Sequence, residues 1–324
     1  MINRANSLPL IYKESLFWEK IKRGRNKKNA LVLFSDIDGT LCENGKCENI
    51  EILFDLLKKL DIPICYITGR TFGNALKKRI FLGADIYIGS TGTEIWVKGL
   101  DNYFCEDKEY SNLIGRNWAK SRIMVVIKEI LAKFTNLKPQ NNENFEIENG
   151  KPKIGLNFYG NKKELQKVKF ILNKSIGRNS GVIVSGPDEN KVYSLDIVPK
   201  FLNFTGKAMP IVYLKRIFGK FTSIVAGNGG NDLEMIFESS SYGIILTGGI
   251  EDMDLPNFIG AAQSHKRLIK YQFNNDWYKL YLLKKESSGA LTIIKAISDN
   301  EFIPSLSPKI QNLMGNYSNK LIKE

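Results

Sequence analysis

The chain has 324 residues, 43% of them apolar, which excludes a disordered polypeptide and leaves room for two domains. A formal net charge of +13 favours anionic partners such as phosphate esters, nucleic acids or acidic membranes, although a generally lysine-rich surface carries the same charge. Four cysteines (Cys42, Cys47, Cys65, Cys105) and the single histidine His265 argue against a disulfide scaffold and against a zinc site. No nucleic-acid-binding module accompanies the charge, no signal-peptide pattern opens the chain and no apolar run reaches membrane-spanning length. The expectation is a cytoplasmic protein with no membrane and no nucleic acid among its partners.

Residues 1–29 read as an appendage ending in the basic stretch Lys20–Lys28, a linker or solvated helix end. The first strand follows over Ala30–Ser35, a continuous apolar run of the kind buried on both faces of a parallel sheet. Ile50, Leu53, Phe54, Leu57 and Leu60 recur at helical spacing, Ile62–Ile67 is a second buried strand, and a helix over 73–81 leads to a third strand at Ile86–Ile88. This alternation predicts a parallel sheet with right-handed crossovers. After about residue 110 the rhythm changes. Trp118–Phe134 predicts an amphipathic helix, Pro139–Gly150 a polar loop, Lys153–Tyr159 a strand, Lys162–Lys174 a helix, and Val182–Ser185 and Tyr193–Val198 two more strands. The α/β pattern resumes with a helix over Lys207–Phe218, a strand over Ser223–Ala226, a helix over Asp232–Glu238 and a strand over Tyr242–Leu246. The predicted organisation is an α/β core (30–110 and 201–299) into which an α+β unit (111–200) is inserted, with a polar tail over 300–324.

Four short segments carry chemistry. Asp36-Ile37-Asp38-Gly39-Thr40 sits at the carboxyl end of the first strand, the edge where open α/β sheets bind ligands. Two carboxylates two residues apart can converge on Mg²⁺; the first can attack phosphorus and the second can serve as acid and then base. An Asp-Gly turn closing a strand is the bland alternative. Thr68-Gly69-Arg70 ends the second strand, where a hydroxyl and backbone N–H groups can hold a phosphoryl oxygen; Arg70 either contacts phosphate or is solvated. Gly206-Lys207 opens a helix, where a lysine is unfavourable without an anionic partner. Gly227-Asn228-Gly229-Gly230-Asn231-Asp232 is a glycine-rich turn whose Asp232 either completes a metal site or caps a helix.

In this order the segments resemble the four motifs of the haloacid-dehalogenase superfamily, and the inserted unit resembles the α+β (C2-type) cap of its type IIB branch. The finer matches Gly89-Ser-Thr-Gly-Thr-Glu-Ile-Trp96, Gly99-Leu100-Asp101, Leu195-Asp-Ile-Val-Pro199 and Gly289-Ala290 are similar to those of sucrose-phosphate phosphatases and related sugar-phosphate phosphatases. The resemblance covers about residues 30–298. It implies a Rossmann-like core, a Mg²⁺ cofactor and hydrolysis of a sugar phosphate through an aspartyl-phosphate. On this resemblance Asp36 is the nucleophile, Asp38 the acid/base, Thr68 and Lys207 phosphate-binding catalytic residues, and Asp36, Asp38, Asn228 and Asp232 the metal set. Gly39, Thr40, Gly69, Arg70 and Asn231 are expected around the phosphate, and Glu94, Lys153, Lys191 and Asp196 around the sugar. Asn228 departs from the pattern, since that position normally carries an aspartate; an amide oxygen brings no charge, so metal affinity is expected to fall. The alternative is a weakly active or inactive sugar-phosphate-binding module, whose protein partner would be a glycosyltransferase.

Overall fold

The computed structural model describes residues 8–26, 30–43, 46–79, 83–116, 118–140, 153–186, 190–219, 221–232, 234–236, 242–247, 268–273, 276–284, 288–300 and 302–314. Most of the expected 139–150 loop, the end of the expected 232–238 helix and the end of the 300–324 tail lie outside the described residues. Helices α1 (Leu10–Lys13) and α2 (Leu16–Asn26) precede β1 (Leu31–Ser35). Then come α3 (Ile50–Lys59), β2 (Ile64–Ile67), α4 (Phe72–Lys77), β3 (Ile86–Gly89), β4 (Glu94–Lys98), β5 (Phe104–Glu106) and α5 (Lys108–Gly115). A second group follows: α6 (Lys120–Lys133), β6 (Leu137–Pro139), β7 (Ile154–Phe158), α7 (Lys162–Ser175), β8 (Ser180–Ser185), β9 (Tyr193–Phe201) and β10 (Phe204–Thr205). The chain returns through α8 (Ala208–Phe218), β11 (Thr222–Gly227), β12 (Tyr242–Thr247), β13 (Leu268–Phe273), β14 (Asp276–Lys284), α9 (Gly289–Ser298) and α10 (Ser307–Met314).

Among the described residues the main sheet has nine strands in the order β13-β14-β12-β11-β1-β2-β3-β4-β5. β1 lies between β2 and β11, parallel to both, and every residue of it is buried. That is why its sequence is uniformly apolar rather than alternating. β2 precedes and β11 follows the second sheet in the chain, so the strand order reverses at β1, the position beyond whose carboxyl end open α/β sheets bind ligands. The β4–β5 hairpin, not anticipated from the sequence, extends the sheet antiparallel beyond β3. A second sheet of five strands holds β6, β7, β8, β9 and β10, with α6 and α7 packed on it around Ile123, Ile127, Leu165, Val168 and Leu172. The mixed α/β class and the mostly parallel core agree with the sequence reading.

The N-terminal expectation is corrected. Tyr12, Phe17 and Ile21 are wholly buried in the same apolar cluster as β1. The Tyr12 hydroxyl donates to Asp107 (2.7 Å), and Lys20 and Arg23 pair with Asp85 and Asp61 (2.8 Å each). The described part of the basic stretch, residues 20–26, belongs to the polar face of an amphipathic helix, whose apolar face is spread too thinly among basic residues to stand out in the sequence. At the other end, Ser288 caps α9 by accepting from the Leu291 N–H. A Cβ on Gly289 would lie 1.5 Å from the Thr40 carbonyl oxygen, so only glycine lets α9 abut the loop after β1.

Candidate active site

The loop after β1 turns tightly: the N–H groups of Leu41 and Cys42 both donate to the Ile37 carbonyl, and Gly39 adopts φ +77°. Asp36 is thereby fixed at the strand end, its N–H bonded to the Ala226 carbonyl of β11 (3.0 Å). Facing this strand end, Lys207 precedes α8 and is only 2% exposed. Its Nζ donates to Asp36 Oδ1 at 2.7 Å and to Asp232 Oδ1 at 2.6 Å. Asp232 Oδ2 in turn accepts from the N–H groups of Asn228 and Gly229 (3.0 and 2.9 Å). Asp232 thus closes the glycine-rich turn through one oxygen and pairs with Lys207 through the other. Asn231 is half-buried in the same turn, its Oδ1 lying against Gly229. Thr40 is buried and donates to Asn228 Oδ1 (2.8 Å), while the Asn228 amide packs on Gly39, where any Cβ would collide with it.

One amine serves two buried carboxylates. Burial, and then the Asp232 charge, push the Asp36 carboxyl up to about 7 against the pull of Lys207. Burial would lower the Lys207 amine, but Asp232 and Asp36 together raise it, so it stays charged. The cluster is short of positive charge, and Asp36, Asp232 and Asn228 offer it only oxygen ligands. That donor set fits a hard divalent cation such as Mg²⁺.

Asp38 is not part of the cluster. Its two oxygens take a bidentate ion pair from Arg70, at 2.6 Å to Nε and 2.8 Å to Nη2, and its side chain is 46% exposed. No three His, Cys, Asp or Glu side chains gather as metal ligands among the described residues. Of the four residues expected to hold the metal, Asp38 faces Arg70, whose guanidinium matches its carboxylate geometrically, while Asp36, Asn228 and Asp232 lie together around Lys207 and the glycine-rich turn. Arg70, expected at the phosphate, is held by that acid. Thr68 is buried at the end of β2 and its hydroxyl accepts the Arg70 N–H (3.2 Å).

Of the four expected sugar contacts, two meet the core and two do not. Lys153, at the start of the second sheet, lies 3.1 Å from both Thr91 Oγ1 and Asp196 Oδ2 and 3.5 Å from the Gly69 carbonyl. Thr91 donates to Asp196 (2.7 Å). Asp196 is 7% exposed and its Oδ1 has no hydrogen-bond partner among the described residues, an orphaned acceptor between the two sheets. Glu94 is instead sealed inside, accepting from the Phe72 N–H and the Ser90 hydroxyl (2.9 Å each) and from the Trp96 indole (2.8 Å). It anchors the start of α4 and is only 2% exposed. Lys191 is on an exposed turn before β9, with no bond to the site among the described residues. Thr91 was missed from the sequence: Ser90 and Thr91 both adopt positive φ (49° and 58°), a strained turn for non-glycine residues that composition does not reveal. Also unanticipated, Cys42 and Cys47 are joined by a disulfide beside the Asp36–Thr40 loop.

The family model for sucrose-6F-phosphate phosphohydrolase matches residues 29–270. The chain is 28% identical over 291 residues to "Probable sucrose-phosphatase 3a" of Arabidopsis thaliana and 25% identical over 295 residues to "Sucrose-phosphatase 2" of Nicotiana tabacum. Each match takes in 86% of this chain but 61% of the relative, so the chain spans about three fifths of the length of these plant proteins. Among solved structures, the sucrose-phosphatase of Synechocystis sp. PCC6803 in complex with sucrose and phosphate superposes with a TM-score of 0.59 at 19% identity, covering 85% of this chain and 99% of that one. A haloacid dehalogenase-like hydrolase of Bacillus subtilis gives 0.50 at 17% identity over 88% and 99% of the two chains. The fold is that of the haloacid-dehalogenase phosphatases with a cap.

Proposed function

The chain belongs to the sucrose-6F-phosphate phosphohydrolase family, and from that premise we propose that it hydrolyses a sugar phosphate of the sucrose-phosphate class through an aspartyl-phosphate on Asp36. The observation that carries this reading is the buried Lys207 amine bridging Asp36 and Asp232 at the carboxyl edge of a parallel sheet. A structural ion pair needs one acid; a second carboxylate at a ligand-binding edge is the arrangement that receives a cation and a phosphoryl group.

Asp36 presents Oδ2, which makes no hydrogen bond among the described residues, as the attacking atom. The bond from phosphorus to the sugar oxygen breaks as the Asp36–phosphorus bond forms, and Asp38 gives that oxygen its proton. Asp38 then takes a proton from the water that cleaves the acyl phosphate. Its ion pair with Arg70 is half-exposed, so it is weak enough to yield to substrate. Lys207 keeps its charge and offsets the phosphoryl oxygens, and the Thr68 hydroxyl binds one of them. Asp36, Asn228 and Asp232 would hold Mg²⁺, which when bound supplies positive charge against the transferring phosphoryl group. The second sheet serves as the cap, with Lys153, Thr91 and Asp196 reading sugar hydroxyls; the orphaned Asp196 oxygen is an acceptor that a hydroxyl would satisfy. The test is phosphate release from a panel of sugar phosphates with Mg²⁺. Turnover of sucrose phosphate above other hexose and disaccharide phosphates is expected, and no release from any of them refutes the reading.

Two variants probe its parts. Asn228→Asp restores a charged oxygen, so the Mg²⁺ concentration for half-maximal release should fall by about tenfold; an unchanged Mg²⁺ dependence removes Asn228 from the metal set. Asp196→Asn should raise KM for the sugar phosphate by about tenfold with kcat little changed. Turnover of p-nitrophenyl phosphate, which has no sugar, should be unaffected.

A further inference from the structure

The Cys42–Cys47 disulfide lies where a local change is transmitted directly to the chemistry. The Gly39 N–H donates to the Cys42 carbonyl (2.7 Å), the Cys42 N–H donates to the Ile37 carbonyl (2.8 Å), and Asp38 and Cys42 form an isolated β-bridge. These bonds shape the turn that carries Asp36, Asp38 and Thr40. On the far side the cysteines tie this turn to α3: Cys47 packs on the apolar cluster that includes Leu53 and Leu57, and Asn49, at φ 57°, leads into the helix. Gly289 presses on the Thr40 carbonyl from behind. The bridge therefore fastens one end of a loop whose other end is the nucleophile.

The two cysteines are five residues apart, so the bridge closes a short loop and removes less freedom from the unfolded chain than a bridge between distant elements would. Cys42 is 5% exposed among Leu41, Leu53 and Leu57, where a reduced thiol packs equally well as a small apolar group. Cys47 is half-buried and flanked by the exposed Lys46. Cys47 is therefore the less buried of the two cysteines and Cys42 the sheltered one. A short-range bridge with one half-buried cysteine, tied into the turn that carries the nucleophile, fits a controlled bond better than a structural staple.

We infer that Cys42–Cys47 is a reversible redox modification site that takes a dithiol as co-reactant and sets the order of the Asp36–Thr40 loop. This rests on the phosphatase reading for its consequence but not for its chemistry. A dithiol thiolate attacks Cys47 Sγ, forming a mixed disulfide, and Cys42 leaves as a thiolate that takes up a proton. The second thiol of the reagent then displaces Cys47, closing the reagent's own disulfide. Two electrons pass to the cysteine pair, and an oxidised dithiol reverses the sequence. With the bridge closed the turn is held for attack; with it open the turn loosens and turnover falls.

The experiment equilibrates the full chain with dithiothreitol, reduced or oxidised, and reads three quantities: free thiols by alkylation and mass, hydrogen exchange of residues 37–42, and Mg²⁺-dependent release from p-nitrophenyl phosphate. Reduction at neutral pH should expose the Cys42 and Cys47 thiols, speed exchange in the loop and lower kcat by about tenfold, all reversed on reoxidation. Cys47→Ser should sit at the reduced level and ignore the reagent, while Cys105→Ser, an exposed free thiol on β5, keeps the full response. A bridge that resists dithiothreitol in the folded protein overturns the inference, as does equal exchange in the two states. If neither state releases phosphate, the hydrolase reading fails, and thiol exposure with loop exchange still decides this one.

Discussion

Asp36→Asn should lower phosphate release by at least about 10³-fold, whatever the leaving group, because it removes the atom that bonds to phosphorus. The change is isosteric, and the amide oxygen can still accept from Lys207. Asp36 is also the member of the cluster whose charge is most strained, its carboxyl already raised to about 7 by burial and by Asp232. Stability should therefore stay within about 1 kcal/mol of the parent. Rapid quenching with a labelled substrate should trap phosphate on the parent chain and none on the variant. Retained turnover in the variant would remove Asp36 from the reaction and with it the aspartyl-phosphate.

Lys207→Met should be costly to the fold as well as to activity. The lysine side chain is 1% exposed and those of Asp36 and Asp232 are 8% and 0% exposed, so the substitution leaves two carboxylates out of water with no cation between them. Breaking a buried pair in this way costs about 3–5 kcal/mol. The pH dependence gives the cause away. Without Lys207 the Asp36 carboxyl is raised still further above its unfolded value, so the unfolded chain releases a proton that the folded one retains, and the folded variant loses stability as pH rises. The deficit in denaturation free energy against the parent should be largest near about pH 8 and shrink towards about pH 5, where Asp36 protonates. A deficit independent of pH would mean that lost packing, not charge, is the loss.

The core site was legible because its parts obey local rules. Asp36, Thr68 and Asn228 each follow a short buried strand, and strand ends of a parallel sheet converge whatever the details of packing. Lys207 stood out because a cation at a helix start needs an acid, and the structure supplies two. The cap contacts were half legible. Lys153 and Asp196 meet across β7 and β9, but Glu94, expected at the sugar, is instead saturated by Phe72, Ser90 and Trp96. No pattern in the sequence distinguishes an acid with three buried donors from one facing a ligand, since two of the donors come from a neighbouring turn and helix and only Trp96 shares its strand.

The amino-acid sequence by itself determined the α/β alternation, the burial of β1 in a parallel sheet and the identity of the residues at the sheet edge, because continuous apolar runs and turn residues act over a few neighbours. Only the tertiary structure decided the pairing of Asp38 with Arg70, the cluster of Lys153, Thr91 and Asp196, the docking of residues 8–26 on the core and the closing of Cys42 onto Cys47. Each of these is a choice among partners that local spacing leaves equally available, and it is settled by which charges and apolar faces remain uncovered once the sheet has formed.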